Sequence, residues 1–440
     1  MEDDNSPQTQ SVDSNSSAVN ASGVEEARKR DEGDPLSGFS THFSLPDELY
    51  LEGNSLGPLS DAAEARLEEA IEQWRTLGIE GWSEADPSWF WYGERLGEKL
   101  APLLGASPEE CVATGTTTTN IHATISTFLD KCDDDKGILV NDLDFPSDHY
   151  AIRGQLRQRG LDPEDHLHIV ESRDGRTIET DDIIAAMDEN DIGIVFMPGV
   201  LYRSGQLFDI ETITREAHER DIYAGFDLAH SVGAVPHDLS AHGVDFAVWC
   251  SYKYLNGGPG AVGGLYINER HFGTMPSLAG WWGHEKETQF DMELEFTPAQ
   301  SAGGWQITAV PLFSSAPLLG SLELVHEAGI EPIREKSIEL TDYLIALVDE
   351  QLEDCTVGTP RDSARRGGHV AIEHPDAYQV SQALRDSGAI VDYREPNVIR
   401  ACPAPLYVSF EETYEFVQLL DEILESESYK SYESDASGVT

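Results

Sequence analysis

The sequence predicts an α/β fold with a mostly parallel central sheet. Its first sign is a series of short apolar runs bounded by Gly, Asp or polar residues, at residues 137–142, 192–200, 222–230, 244–252 and 262–269. Uninterrupted apolar runs of this length are typical of strands buried on both faces of a sheet. The second sign is the helical spacing of apolar residues in segments such as 61–77 and 211–221. Helices that alternate with buried strands favour parallel pairing.

A smaller α+β C-terminal domain is predicted after the sheet region. A long helical pattern covers residues 318–352, and a strand pattern at 369–374 is followed by helical patterns at 378–388 and 416–424. Both termini are polar and acidic, with few apolar positions, which is typical of disorder. We therefore expect five segments, which are an acidic disordered tail (1–38), an N-terminal segment of the small domain (39–75), a large domain (76–316), a C-terminal small domain (317–426) and a second disordered tail (427–440).

The charge of the chain excludes two classes of partner. Lys and Arg number 29 and Asp and Glu number 81, which gives a formal net charge of −52. A surface this negative repels nucleic acid and anionic membranes, so we expect neither as a partner. The acidic residues run along the whole chain, which favours the salt-screened cytoplasm of a halophile over an ordinary acidic protein with charged tails.

The cysteines and the N-terminus predict a soluble, cytoplasmic protein. The five cysteines are scattered and lack CxxC spacing, so we predict neither a disulfide framework nor a metal site. The segment "MEDDNSPQTQ" is acidic and polar, unlike a signal peptide. No apolar run approaches the roughly 18 residues that a membrane span needs.

One lysine stands apart from the others. The chain has eight lysines, and Lys253 lies in "SYKYLNGGPGAVGG", directly after an apolar run and before a glycine-rich stretch. Asp227 closes another apolar run, and His230 follows it by three positions. Ligands of α/β proteins bind at the carboxyl ends of the strands, so these three side chains are candidates for one site.

Two further segments add groups of the right kind. Four threonines, Thr116 to Thr119, precede a predicted helix, whose free N–H groups and dipole favour an anion. The segment "DLDFPSDHYA" places Phe145 and Asp148 at another strand end. Each feature has an ordinary explanation, such as helix capping, a structural carboxylate, a solvated lysine or a glycine turn.

The combination is more specific than its parts, because it matches what pyridoxal 5'-phosphate requires. A lysine amine forms a Schiff base with the aldehyde, and a carboxylate keeps the pyridine nitrogen protonated. A helix N-terminus can hold the phosphate, and an aromatic ring or a histidine can stack on the cofactor. Glycines after the lysine allow the backbone to approach closely.

The motifs that surround these residues resemble one family. They resemble fold-type I, class V-like pyridoxal-phosphate enzymes and, in order along residues 45–425, the blocks of the kynureninase family. The matching blocks are "YLEGNSLGPLS", "TTTTNIH", "DFPSDHYA", "YRSGQLFDI", "GFDLAHSVGAVPHDLSAHGVDFAVWCSYKYLNGGPG", "LAGWWGH" and "EPNVIRACPAPLYVSF". The resemblance implies a fold-type I enzyme in which the large domain binds the cofactor.

The resemblance also assigns roles. It implies Lys253 as the catalytic Schiff-base lysine and Asp227 as the partner of the pyridine nitrogen. Other implied cofactor contacts are Thr117, Thr118, Phe145, Ser147, Asp148, His230, Tyr252, Trp281 and Thr308. Trp281 is expected to reach the site across a dimer interface. The implied substrate contacts are Arg400, as a bidentate clamp for the α-carboxylate, Asn54 and Ser55.

The implied activity is hydrolysis of L-kynurenine, with 3-hydroxykynurenine as the other substrate considered, to anthranilate and L-alanine by a homodimer with shared active sites. The alternatives are another class V-like lyase or aminotransferase, and a non-catalytic protein that keeps the fold as a binding module. Three positions depart from the pattern that the resemblance leads us to expect. Pro198 replaces a serine, Ala309 stands beside Thr308 where Asn or Thr is expected, and residues 78–82 lack a histidine.

Overall fold

The computed structural model of the protein describes residues 23–133 and 135–434. The strands within these residues are β1 (Phe43–Ser44), β2 (Leu49–Tyr50), β3 (Leu59–Ser60), β4 (Cys111–Ala113), β5 (Gly137–Asn141), β6 (Leu167–Val170), β7 (Ile192–Pro198), β8 (Tyr223–Asp227), β9 (Phe246–Cys250), β10 (Gly263–Ile267), β11 (Thr356–Val357), β12 (Val370–Glu373), β13 (Ala389–Ile390), β14 (Asp392–Arg394) and β15 (Val398–Ala401). The helices are α1 (Val24–Gly33), α2 (Asp61–Leu77), α3 (Gly81–Glu84), α4 (Tyr92–Leu100), α5 (Thr117–Leu129), α6 (Pro146–Gln158), α7 (Pro163–His166), α8 (Thr180–Glu189), α9 (Ile210–His218), α10 (Leu239–His242), α11 (Leu312–Ala328), α12 (Ile330–Gln351), α13 (Ala377–Asp386) and α14 (Phe410–Glu425).

The central sheet has seven strands in the order β4-β10-β9-β8-β7-β5-β6. Strands β9, β8, β7, β5 and β6 pair in parallel, and β10 pairs antiparallel with both β9 and β4. The five apolar runs that predicted strands correspond to β5, β7, β8, β9 and β10, nearly every residue of which is buried. The prediction of a mostly parallel central sheet is confirmed.

Helices cover both faces of this sheet. On one face Phe128 of α5 stacks on Phe246 of β9 with ring centroids 4.7 Å apart, within a buried apolar cluster. On the other face Ile213 and Ala217 of α9 are buried in a larger cluster. The amphipathic segment 61–77 forms α2, as its spacing predicts, and packs against α11. With both faces covered, ligands can reach the sheet at the ends of its strands.

The C-terminal part has its own antiparallel sheet, in the order β11-β12-β15-β14, and its own apolar cluster. The long helical pattern at 318–352 divides into α11 and α12 at Gly329, whose φ of 80° lies in the left-handed region that favours glycine. Strand β13 pairs in parallel with β2, which joins the chain near residue 50 to this C-terminal layer. The C-terminal α+β architecture is therefore as predicted, whereas the exact domain boundaries stay a prediction.

The expectation of disordered tails is wrong for the parts of them that the structure describes. Helix α1 lies within the segment 1–38, and its Ala27 is fully buried in the C-terminal apolar cluster. Asp31 accepts hydrogen bonds from the N–H groups of Phe410 and Glu411 at 2.8 and 3.0 Å, at the start of α14. In the second tail Tyr429 is buried in a short 3-10 helix. Residues 1–22 and 435–440 lie outside the described residues. None of the helices in the described ranges combines the length and the apolar character needed to cross a bilayer.

Candidate active site

The candidate site is a cavity of about 230 Å³ at the carboxyl ends of the central strands. It is lined by twelve of the fourteen predicted site residues, namely Asn54, Ser55, Thr117, Thr118, Phe145, Ser147, Asp148, Asp227, His230, Tyr252, Lys253 and Arg400. Four unpredicted residues complete the lining, namely Tyr202, Ala229, Cys250 and Arg394. The strand ends β8 and β9 supply Asp227 and the turn that carries Lys253, as the topology of a parallel sheet requires.

Lys253 and His230 form a close pair in this cavity. The Nζ of Lys253 lies 2.8 Å from Nε2 of His230. Burial, together with the positive charges of Lys253 and Arg400, holds the pKa of His230 well below its usual range. A neutral imidazole can accept a hydrogen bond from the Lys253 amine at Nε2, in which case its own hydrogen is on Nδ1. The pair therefore fixes the position of the Lys253 amine inside the cavity.

Three buried carboxyl groups, those of Asp144, Asp148 and Asp227, interact with one another at the cavity. Asp227 accepts a hydrogen bond from the N–H of Ala229 at 2.7 Å. Burial raises the pKa of Asp227, and burial together with the charge of Asp227 raises the pKa values of Asp144 and Asp148. Burial disfavours the charged form of an acid, and the charge of Lys253 offsets this only in part for Asp227 and Asp148. A protonated ring nitrogen beside these carboxyl groups would favour the ionised form of one of them. This part of the cavity therefore suits a protonated heterocycle.

The N-terminus of α5 forms another part of the cavity lining. Thr116 caps the helix by accepting a hydrogen bond from the N–H of Thr119 at 3.3 Å, and Thr117 and Thr118 begin the helix at the cavity. The first N–H groups of a helix have no acceptor within the helix, and its dipole favours an anion. Gly115 precedes the cap with a φ of 55°, and a Cβ there would lie 2.5 Å from Oδ1 of Asn120. This end of the cavity can bind a phosphate.

Arg400 lines a further part of the cavity, from β15, and is almost completely buried. Its Nε donates to Oδ1 of Asp392 at 2.6 Å, and its Nη2 donates to Oδ2 of the same carboxylate. Asp392 thus accepts hydrogen bonds from two of the donors of Arg400 in this structure, and the bidentate clamp of a substrate carboxylate stays a prediction. Asp392 lies directly opposite Arg400 in the antiparallel pair β14–β15. Reading "DYREPNVIR" as a hairpin would have found this pair in the sequence.

Two smaller groups complete the lining. The buried side chain of Asn54 has no hydrogen-bond partner at either amide atom among the described residues, so both atoms are available to a ligand. Phe145 is half exposed at the cavity and packs edge-to-face on Tyr202 with centroids 5.3 Å apart. Unpartnered buried polar atoms indicate that a bound molecule completes this site.

Two predicted residues lie outside the cavity. Trp281 is half exposed, and its Nε1 donates to the carbonyl of Gln289 at 3.2 Å. Thr308 is exposed at the surface. A single chain therefore does not bring either residue to Lys253, and their contribution from a second copy stays a prediction.

The sequence of this chain is similar to those of known proteins over most of its length. A family profile described as the kynureninase C-terminal domain matches residues 333–420. A kynureninase of Geobacillus thermodenitrificans is 50% identical over 94% of this chain and 97% of its own length. A kynureninase of Bacillus thuringiensis subsp. konkukian is 48% identical over 93% of this chain and 96% of its own length.

The chain belongs to the kynureninase family.

The fold of this chain is similar to that of solved structures. The apo cysteine desulfurase of Thermococcus onnurineus NA1 superposes with a TM-score of 0.74 at 19% identity, covering 91% of this chain and 98% of that structure. A C-DES mutant with glycine covalently linked to its PLP cofactor gives a TM-score of 0.73 at 19% identity, covering 86% of this chain and 97% of that structure. The predicted fold class, a fold-type I architecture, is confirmed.

The cavity of this kynureninase-family chain fits pyridoxal 5'-phosphate, whose aldehyde, phosphate and ring nitrogen each need a different group. Lys253 presents an amine, the start of α5 presents N–H donors, and Asp227 presents a buried carboxyl group. The unpartnered Nδ1 of His230 and Oδ2 of Asp148 are further buried polar atoms at the same place. The residues present therefore match the cofactor in chemistry and number.

The four unpredicted lining residues differ in whether the sequence carries a signal for them. Tyr202 and Arg394 lie within or beside the family-like blocks "YRSGQLFDI" and "EPNVIRACPAPLYVSF". Ala229 contributes its backbone N–H, and Cys250 ends β9, so neither carries a sequence signal. Arg394 was missed because an arginine in a strand of a hairpin is usually solvated.

Proposed function

We propose that the protein hydrolyses L-kynurenine, or its 3-hydroxy derivative, to anthranilate, or 3-hydroxyanthranilate, and L-alanine. One water is consumed, the Cβ–Cγ bond breaks, the γ-carbon becomes a carboxylate and the β-carbon gains a proton. The observation that carries this proposal is that Lys253, Asp227, the start of α5 and Arg400 line one cavity in a chain of the kynureninase family.

Each side chain has a proposed task. Bound pyridoxal 5'-phosphate supplies an electron sink that stabilises negative charge on the substrate carbons. Thr117, Thr118 and Tyr252 hold its phosphate, Phe145 and His230 contact its ring, and Ser147 and Asp148 flank it. Asp227 keeps the ring nitrogen protonated. The Lys253 amine removes the proton from Cα and returns protons later, which its position 2.8 Å from His230 Nε2 supports.

The second candidate function is that of another class V-like lyase or aminotransferase. It is supported by the fold likeness to a desulfurase and to C-DES. A desulfurase-type reaction needs a reactive thiolate, and Cys250 is the cysteine that lines the cavity. Burial raises the pKa of the Cys250 thiol, which disfavours the thiolate. We therefore favour kynurenine hydrolysis over a desulfurase-type reaction.

The test combines an activity with a chemical label. Purified protein with pyridoxal phosphate should release fluorescent anthranilate from L-kynurenine, and borohydride should attach the cofactor covalently to Lys253. Lys253→Ala should lose both properties, whereas the exposed Lys430→Ala should keep both. A label on another lysine would reject the assignment of Lys253. A labelled protein that releases no anthranilate would favour the second candidate.

We also propose a homodimer with shared active sites. The support is a continuous exposed aromatic surface, formed by Trp74, Trp82, Trp91, Trp281, Phe290 and Phe313. Ring contacts connect these residues, since Trp282 packs on both Trp82 and Trp281, at 5.3 and 5.8 Å between ring centroids, and Trp281 packs on Phe290 at 5.6 Å. Phe90 links Phe290 to Trp91, and Trp74, Trp82 and Phe313 line one shallow cavity. Exposed apolar surfaces of this kind mark protein interfaces. On this proposal Trp281 and Thr308 reach the cavity of the other copy.

Mixing two inactive variants tests the shared site. The Lys253→Ala homodimer should be inactive and the Trp281→Ala homodimer nearly so, and a mixture that has exchanged subunits should regain activity, because one of the two sites in each hybrid is intact. No gain after exchange, or a monomer in sedimentation, would contradict the proposal.

The cytoplasm of a halophile is the setting that we propose from the −52 net charge.

A further inference from the structure

A buried lysine joins the segment that carries Trp281 to helix α4. The side chain of Lys286 is only 6% exposed. Its Nζ donates a hydrogen bond to the carbonyl of Trp282 at 2.9 Å and lies 3.8 Å from Oε1 of Glu94, in α4. Lysine side chains are almost never this buried unless they are paired. Here the partners of one ammonium group come from two separate segments of the chain.

Three aromatic rings surround the same ammonium group. Nζ of Lys286 lies 4.7 Å from the ring centroids of Phe90 and Trp282 and 5.7 Å from that of Trp91. A cation within about 6 Å of a ring centroid is attracted to the ring, and the attraction is stronger when water is excluded. Burial lowers the pKa of Lys286, whereas the charge of Glu94 opposes this effect. The rings and Glu94 thus replace water around the buried cation.

Glu94 connects this lysine to a third segment. Oε1 of Glu94, the oxygen nearest to Lys286, accepts a hydrogen bond from Nε2 of Gln306 at 2.7 Å. Gln306 lies two positions before Thr308, and Lys286 lies five positions after Trp281. Trp281 and Thr308 are the two predicted site residues that lie outside the cavity of their own chain. One carboxylate of α4 therefore contacts both segments that carry them.

Segment 281–290 is closed on itself by reciprocal hydrogen bonds. Nε1 of Trp281 donates to the carbonyl of Gln289 at 3.2 Å, and Nε2 of Gln289 donates to the carbonyl of Trp281 at 2.8 Å. The next residue, Phe290, stacks on Phe90 with ring centroids 5.8 Å apart. Trp281 is therefore fixed within the segment, and the contacts of Lys286 and Phe290 hold the segment against the start of α4.

We infer that Lys286 is a positioning residue, which holds segment 281–290 against α4 and thereby directs Trp281 towards the cavity of the second copy. The inference rests on the proposed function, because Trp281 reaches a substrate only in the proposed dimer with shared sites. Lys286 itself lies outside the cavity lining, so it acts through Trp281 and not by touching the substrate. A buried cation suits this task, because moving it would expose the rings and leave Glu94 without its counter-charge.

The first test separates KM from kcat in anthranilate release by the holoenzyme. Lys286→Met keeps the length of the side chain but removes its charge, and it should raise KM for L-kynurenine roughly 10-fold while kcat changes less than about 2-fold. A merely structural role would lower the folded fraction, and hence kcat, at an unchanged KM. Lys286→Arg should recover part of the loss, because a guanidinium keeps the charge and stacks on aromatic rings. Lys99→Met, which changes an exposed lysine of the same helix α4, is the matched control.

A second variant covers the case in which Lys286→Met does not fold. Lys286→Met combined with Glu94→Gln leaves no buried charge unpaired, and the new amide can still accept the hydrogen bond from Gln306. This double variant should show the same rise in KM. In a Trp281→Ala background Lys286→Met should cause no further loss of kcat/KM, because the residue through which it acts is already missing. A further loss there would overturn the inference.

Hydrogen exchange gives a measurement that needs no substrate. Amide exchange in segment 281–290 should speed up roughly 10-fold in Lys286→Met, because the segment opens locally more often, and should keep the wild-type rate in Lys99→Met. Wild-type exchange in Lys286→Met, or a wild-type KM in an active Lys286→Met enzyme, would overturn the inference alone. A wild type that releases no anthranilate would overturn the proposed function and the inference with it, so the two failures are distinguishable.

Discussion

At residue 392 a single buried carboxylate determines what its neighbours can do. Asp392 is fully buried and contacts Arg400, Arg394 and Ser55. Removing one partner of a buried ion pair leaves a charge without compensation, which costs more than the net value of the pair. We therefore expect Arg400 to contribute to stability as well as to the proposed substrate binding.

We expect Arg400→Ala to lower kcat/KM for L-kynurenine about 30- to 1000-fold and to lower the free energy of unfolding by about 3 kcal/mol. Cofactor absorbance should be retained, because the proposed cofactor contacts are made by other residues of the cavity. Anthranilate release and chemical denaturation measure the two effects. Arg361→Ala is the control, since exposed pairs contribute little. Equal rates for wild type and Arg400→Ala would show that this arginine does not bind the substrate.

Buried histidines next to the site make stability depend on pH. His369 is completely buried, and burial and the charge of Arg400 lower its pKa to about 3. An unfolded histidine has a pKa of about 6.5. Between these values the unfolded chain binds a proton that the folded chain does not, so stability falls as the pH falls from about 6.5 towards 3.

His369→Gln should therefore flatten the dependence of unfolding free energy on pH by up to about 1.4 kcal/mol per pH unit in that window. Denaturation curves at several pH values measure the slope. Tyr254→Phe removes the hydroxyl 3.4 Å from Nδ1 of His369 but keeps the imidazole, so this control should keep the wild-type slope. An unchanged slope in His369→Gln would mean that this histidine is protonated in the folded state.

At the scale of elements, helix α1 stabilises a helix at the other end of the chain. Both carboxylate oxygens of Asp31 accept backbone N–H groups at the start of α14, close to the N-cap Ser409. A carboxylate there satisfies free N–H groups and interacts favourably with the helix dipole. The polar composition of residues 1–38 hid this contact, because it depends on one capping acid and one buried alanine.

Asp31→Ala should lower the free energy of unfolding by about 1–2 kcal/mol. Its exposed neighbour gives the matched control, and Glu32→Ala should change stability by less than about 0.5 kcal/mol. Urea denaturation measures both. If the two variants are equally stable, α1 does not cap α14 in solution.

For the whole molecule, net charge is the dominant feature. With a net charge of −52, the acidic side chains repel one another within the folded chain and between the two chains of a dimer, and added salt screens that repulsion. We expect the thermal midpoint and the dimer fraction to rise between roughly 0.1 and 3 M salt, a range over which the Debye length falls from about 10 Å to below about 3 Å. Unchanged stability over this range would contradict a halophile origin. Sucrose in place of salt controls for general exclusion effects.

The sequence by itself determined the central sheet and three groups at its edge, which are Asp227, the turn of Lys253 and the helix start at Thr117. Apolar runs give buried strands wherever they occur, and parallel strands present their carboxyl ends together. Asp227 and the Lys253 turn therefore meet because each follows its own strand. The helix start at Thr117 was visible for the same local reason, since capping residues act on the turn that they begin.

Only the tertiary structure decided the rest, because the remaining contacts depend on direction and on segments distant in the chain. Arg400 was predicted as a site residue, but the direction of its donors is set by Asp392 on the neighbouring strand and by Tyr202, 198 positions away. Trp281 and Thr308 lie outside the cavity of their own chain, which no local pattern at either residue showed. A local pattern fixes which strand or helix forms, whereas hydrogen-bond geometry between distant segments fixes what each polar side chain can bind.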